Sequence, residues 1–109
     1  MSRRAQIEQL LAEDPHDPFL QYSLALEYEK EGAVDEALER LGALMRNDPP
    51  YVAAFHMAGQ IYAKAGRLEE ARRVLREGIE AARDQQRQHD AAEMADLLAT
   101  LGNSPSDLP

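Results

Sequence analysis

The chain has 109 residues, a net charge of −8 and no cysteine. That length suits one domain and leaves no room for a second, and the missing cysteines remove disulfides, thiolate nucleophiles and cysteine-ligated metal. The acidic balance opposes a phosphate backbone, and no run of eighteen apolar residues is present to span a membrane.

In chain order, Ile7, Leu10 and Leu11 have helical spacing and predict a leading helix over 3–13, which Asp14-Pro15 stops because the residue before proline disfavours helix. The start Met1-Ser2-Arg3-Arg4 is basic, but Gln6, Glu8 and Gln9 interrupt any apolar signal region, so no secretion signal is read. A soluble, cytoplasmic protein is expected. Asp17-Pro18 then reads as an N-cap with proline at the first helical position, opening a helix from Pro18 to Glu31 that Gly32 ends in a left-handed conformation.

From about Val34 the apolar pattern resumes through Ala37, Leu38, Leu41, Leu44 and Met45 and stops at Asn47-Asp48-Pro49-Pro50. A fourth helix is expected from Pro50 or Tyr51 to near Gly66. A fifth follows from near Leu68, with Ala71, Val74, Leu75 and Ile79 inward, extending to about Gln86 because Arg83 stands where the first cycle has Pro49. Asp90 and Glu93 have capping-box spacing ahead of Met94, Ala95, Leu97, Leu98 and Leu101, which predicts a last helix over 90–101 closed by Gly102. Residues 103–109 carry no periodicity and read as a disordered tail.

The dominant signal is a repeat. Tyr28, Gly32, Glu36, Ala37 and Leu41 return thirty-four residues later as Tyr62, Gly66, Glu70, Ala71 and Leu75, and Asp14-Pro15 returns as Asp48-Pro49. A fixed period of this size marks stacked helical hairpins, each of which buries its apolar face only against a neighbour. The register is lost at Arg83, so two hairpins are expected. The segments 3–13 and 90–101 then act as caps through Ile7, Leu10 and Leu11 on one side and Leu97, Leu98 and Leu101 on the other.

These residues resemble the tetratricopeptide repeat. Leu24-Ala25 and Ala58-Gly59 stand at its Leu-Gly pair, Tyr28 and Tyr62 at its aromatic site, Ala37 and Ala71 at its small-residue site, and Pro49 at its closing proline. Gln21, Gly78 and Arg83 depart from the pattern. The resemblance covers residues 18–85 and implies an all-α fold. Its expected form is a short right-handed superhelix of two hairpins, with repeat one at 18–51 and repeat two at 52–85 inside a single domain of 1–102. It also implies a concave groove, lined by first helices, that takes a peptide or a partner helix. Carried across residue by residue, that groove is Phe19, Tyr22, Leu26, Glu29 and Lys30 in the first repeat and Ala53, His56, Met57, Gln60, Ala63 and Lys64 in the second. Helical spacing sets these residues on a face apart from Leu24, Tyr28, Ala58 and Tyr62. Three occupants remain open for it: an external partner, the leading helix folded back onto Phe19 and Tyr22, or the tail. Tyr22 and Leu26 occupy two positions at which chaperone-binding members carry a carboxylate clamp, so that activity is not expected.

Enzyme readings have little support, since catalysis needs a nucleophile with its base, facing carboxylates or a metal cluster. His16, His56 and His89 lie on separate elements; only His89 and Glu93 share an i,i+4 face, and two ligands seldom make a metal site. The six glycines are isolated, with no phosphate loop. The basic residues Arg67, Arg72, Arg73 and Arg76 are interleaved with Glu69, Glu70, Glu77 and Glu80, which argues against nucleic acid. The expectation is a non-enzymatic interaction module without catalytic residues, metal or cofactor. Its partner is a protein or peptide, with neither nucleic acid nor membrane. The alternative is a homodimer formed through Ala91, Met94, Ala95, Leu98 and Leu101, a stripe for which capping the second hairpin is the preferred reading because an uncapped Ala71 to Ile79 face is costly.

Overall fold

A computed structural model describes residues 2–102. Among these the chain is all-α, with six helices: α1 (Arg3–Glu13), α2 (Pro18–Lys30), α3 (Val34–Met45), α4 (Val52–Lys64), α5 (Leu68–Asp84) and α6 (Gln88–Thr100). The expected tail at 103–109 lies outside the described residues. The chain divides into two compact units, Met1–Ala54 and Phe55–Pro109.

In the first unit, the Ser2 hydroxyl accepts the Ala5 N–H and starts α1. Asp17 Oδ1 accepts the Leu20 N–H at 3.2 Å and starts α2, with Pro18 in the first turn. α2 ends at Lys30, one residue short of the expected end at Glu31, which is its C-cap. Gly32 follows at φ +83°. Its N–H bonds the Glu29 carbonyl and the Ala33 N–H bonds the Tyr28 carbonyl, the pair of bonds that closes a helix through a left-handed residue. α3 then packs back on α2 and buries Ala37, Leu41 and Leu44. α1 packs on α2 and buries Ile7, whereas Leu10, an expected capping residue, is 51% exposed.

The second unit repeats this plan. Gly66, at φ +78°, donates to Ala63, and Arg67 donates to the Tyr62 carbonyl. A Cβ on Gly59 would lie 2.5 Å from Leu75 Cδ2, so this glycine sets how closely α4 and α5 approach. Gly78, a departure from the repeat pattern, has the same explanation. Its missing Cβ would lie 2.4 Å from Phe55 Cβ and 2.6 Å from Met94 Sδ, so α5 accepts an aromatic ring from α4 and a thioether from α6 at one point. α5 buries seven residues accordingly: Ala71, Arg72, Val74, Leu75, Gly78, Ile79 and Ala82.

α6 begins at Gln88, two residues before the expected start at Asp90. The cause lies in the preceding turn. Gln86 takes a left-handed φ of +61°, its N–H bonds the Arg83 carbonyl, and Arg87 donates to the Ala82 carbonyl at 2.7 Å. This is the closure made by Gly32 and Gly66, so the next helix starts at once. Asp90 therefore lies inside the first turn, where it accepts from Arg87 Nε at 2.6 Å, just as Glu70 accepts from Arg67 Nε at 2.8 Å. A second echo of twenty residues thus relates Arg67, Glu70 and Ala71 to Arg87, Asp90 and Ala91. α5 is both the second helix of one hairpin and the first helix of another.

Arg72, grouped with the surface cations on sequence, is 4% exposed. It reaches Glu69 at 2.6 Å and donates to the carbonyls of Leu101 and Gly102, neutralising the C-terminal end of α6. Of the α6 stripe, Ala91 and Met94 are buried, Leu98 and Leu101 half-buried and Ala95 exposed. Ala91 and Met94 are buried where α6 packs on α5.

Candidate protein-binding surface

On α2 the expected face begins in the first turn. Phe19 is 63% exposed, the most exposed large apolar side chain among the described residues. One turn on, the Tyr22 ring meets that of Tyr51 with centroids 5.5 Å apart at a 48° tilt. Burial first, then the neighbouring Tyr51 hydroxyl, raises the Tyr22 pKa above the ordinary tyrosine range, so this hydroxyl stays protonated as a donor. Leu26 and Glu29 are half-buried and Lys30 is exposed. Lys30 Nζ turns to Glu27 Oε1 at 3.6 Å, which draws it toward the side of α2 that faces α1.

The face avoids the core because the apolar load of α2 lies elsewhere, on Leu24 and Ala25, which are 3% and 0% exposed. The polar side chains of α1 contact Glu27, Tyr28 and Glu31. With Phe19 left exposed, the leading helix is not folded over it, and one of the three occupants open on sequence is removed.

On α4 the same separation holds. Val52, Ala54, Phe55, Ala58, Gly59 and Ile61 are buried, while Ala53, His56, Met57 and Ala63 are half-buried and Gln60 and Lys64 are exposed. The face carries one cation, one imidazole and one thioether, with no carboxylate.

Sequence reasoning missed Tyr51. Thirty-four residues earlier stands Asp17, so Tyr51 belongs to the positions at which the repeats differ. α4 begins at Val52, not at the expected Pro50 or Tyr51, and leaves Tyr51 in the connection between hairpins, its N–H on the Leu44 carbonyl at 3.0 Å. His89 and Glu93 do meet, at 2.5 Å, but this is an i,i+4 side-chain contact on an exposed face; no group of three or more potential metal ligands is present among the described residues. No described helix is long and apolar enough to cross a membrane.

A profile of the tetratricopeptide repeat matches residues 28–101, and a second profile of the same repeat matches residues 2–53. The chain belongs to the tetratricopeptide repeat family. A tetratricopeptide repeat domain protein from Salinibacter ruber, known in solution, is 33% identical over 80% of this chain and 88% of its own, with a TM-score of 0.75. Its crystal structure covers 78% of this chain and 96% of its own, with a TM-score of 0.71. The solution structure of a Bordetella parapertussis protein is similar at 26% identity over 93% of this chain and 88% of its own, with a TM-score of 0.77. No curated protein matches. Tetratricopeptide repeats are in general protein–protein interaction modules built on a scaffold fold that is typically non-enzymatic.

Proposed function

We propose that the chain is an adaptor that takes a peptide or partner helix on the first-helix faces of its hairpins, through Phe19, Tyr22, Leu26, Glu29 and Lys30 on α2 and Ala53, His56, Met57, Gln60, Ala63 and Lys64 on α4. The supporting observation is Phe19, a phenylalanine 63% exposed on a helix whose core obligations are met by other residues, next to the Tyr22–Tyr51 ring pair. Apolar contact supplies affinity at roughly 25 cal/mol per Å² buried. Glu29, Lys30, Gln60 and Lys64 set register and direction. No cofactor or metal takes part, neither nucleic acid nor membrane is a partner, and the setting is the cytoplasm.

Capture with the wild-type chain from its native source defines the bound protein; Tyr22→Ala and Met57→Ala then test the surface. Both variants should retain the helical circular dichroism of the wild type and lose that protein. Retention of the same protein by both overturns the proposal. Light scattering at micromolar concentration checks the alternative, a homodimer, which needs a mass that grows with concentration.

A further inference from the structure

A different side of α2 receives the chain's own first helix. Glu27 is 8% exposed, an unusual burial for a carboxylate, and its Oε1 lies 2.7 Å from Arg3 Nε and 3.6 Å from Lys30 Nζ. One turn on, Glu31 Oε2 takes Arg4 Nε at 2.9 Å. Between them the Tyr28 ring lies under Arg4 at 5.1 Å and under Arg40 of α3 at 5.0 Å, and its hydroxyl accepts from Arg4 Nη1 at 3.4 Å. Two carboxylates and an aromatic face within one helical turn are what a guanidinium group recognises.

The helix that fills this site gives one buried residue to the core. Ile7 is the one buried residue of α1, Leu10 is 51% exposed, and Arg3, the partner of the buried Glu27, is itself 71% exposed. The solvent-exposed guanidinium end of such a pair lets salt screen it. A connection of only four residues, 14–17, joins α1 to α2. Lys30 remains beside Glu27 when α1 leaves, so the carboxylate keeps a counter-charge. With a net charge of −8, the molecule attracts a cationic segment.

We propose that α1 is a detachable strap, and that Glu27, Tyr28 and Glu31 form a guanidinium-binding site which an arginine-bearing helix of a partner protein occupies in its place. The partner helix needs two adjacent arginines followed, about one turn later, by an apolar residue, the pattern of Arg3, Arg4 and Ile7. This site is independent of Phe19, Tyr22 and Leu26, so either reading stands or falls alone.

The test uses the full chain, its Arg3→Gln/Arg4→Gln variant and a labelled peptide with the sequence of residues 2–14. The peptide should bind the variant roughly tenfold more tightly than the wild type, because two guanidinium contacts no longer compete in cis. Replacing both arginines of the peptide by Gln, or adding Glu27→Gln and Glu31→Gln to the variant chain, should abolish binding. Equal binding to wild type and variant, or equal binding of the arginine-free peptide, overturns the proposal. If wild-type chain binds the variant as well as the peptide does, the occupant is a second copy and a foreign partner is overturned. Amide exchange on the wild type reads the strap without any variant. Raising salt from about 50 to 500 mM should speed exchange in α1 severalfold and leave α3 unchanged. Equal protection of α1 and α3 at both salt concentrations overturns detachment.

Discussion

The two compact units share one repeat plan but hold their turn tyrosines differently. In the first, Tyr28 receives Arg4 from α1 and Arg40 from α3, both distant in sequence from its own turn. In the second, Tyr62 receives Arg67, five residues on, at 4.7 Å, and that guanidinium also forks onto both oxygens of Glu70 at 2.8 and 2.6 Å. Packing differs in the same sense. Unit two encloses α5 between α4 and α6 and closes its α6 end with buried Arg72, whereas α1 of unit one gives Ile7 alone to the core. A repeat motif therefore specifies the hairpin, and the flanking helix decides whether charge or apolar packing completes it.

Equivalent substitutions in the two units test this contrast. The largest effects should come from Leu41→Ala and Leu75→Ala, both at 0% exposure and thirty-four residues apart. Each should cost about 2–5 kcal/mol. Leu75, pressed onto Gly59 at 2.5 Å from a virtual Cβ, should cost less than Leu41 if α4 and α5 settle into the vacated space. Urea denaturation of both variants checks the order; a larger loss at Leu75 would show that the second unit does not relax.

Glycines provide a smaller effect of opposite sign. Gly78→Ala drives a Cβ against Phe55 Cβ and Met94 Sδ, a cost of about 1–3 kcal/mol that outweighs the helix propensity gained. Gly42→Ala on α3 meets only Arg46 Nη1 at 3.2 Å, the free end of a flexible side chain, and should stabilise by about 0.5–1 kcal/mol. Thermal melts of the pair should move in opposite directions; a shared direction would refute the packing difference.

The least effect is electrostatic. Hydrogen bonding to Arg67, ahead of the other causes, lowers the Glu70 pKa below the ordinary carboxylate range. The sign follows: folding is favoured above that range, and the contribution is lost as pH falls through the lowered value. Glu70→Gln should match the wild type in acid and fall slightly behind it near neutrality, as read from denaturation midpoints at pH 3 and pH 7. A constant difference at both pH values would remove the Arg67–Glu70 bond from the account.

Much of this was legible in the residues because hairpin chemistry is local. Gly32 and Gly66 stop helices wherever the chain places them, Asp17-Pro18 starts one, and Ala37 and Ala71 mark close approach through size alone. The expected surface on α2 and α4 could be read as non-core for a related reason, since helical period separates it from Leu24, Ala25 and Ala58. Tyr51 escaped because it stands just before the first turn of α4, where helical period assigns no face. The early start of α6 escaped because Gln86 in a left-handed conformation carries no composition signal, unlike glycine.

Sequence by itself determined the all-α class, the thirty-four-residue hairpin and the family, through caps, stops and small residues that act within a few positions of one another. Tertiary structure alone decided which charges are buried. Arg72 and Arg73 are neighbours of the same type, yet the side chain of one is 5% exposed under the end of α6 and that of the other 61% exposed beside Glu77. Likewise Glu27 and Glu29 lie on one helix, and only Glu27 receives Arg3. Burial of a charge depends on what a distant helix brings to it, and no local pattern of residues records that.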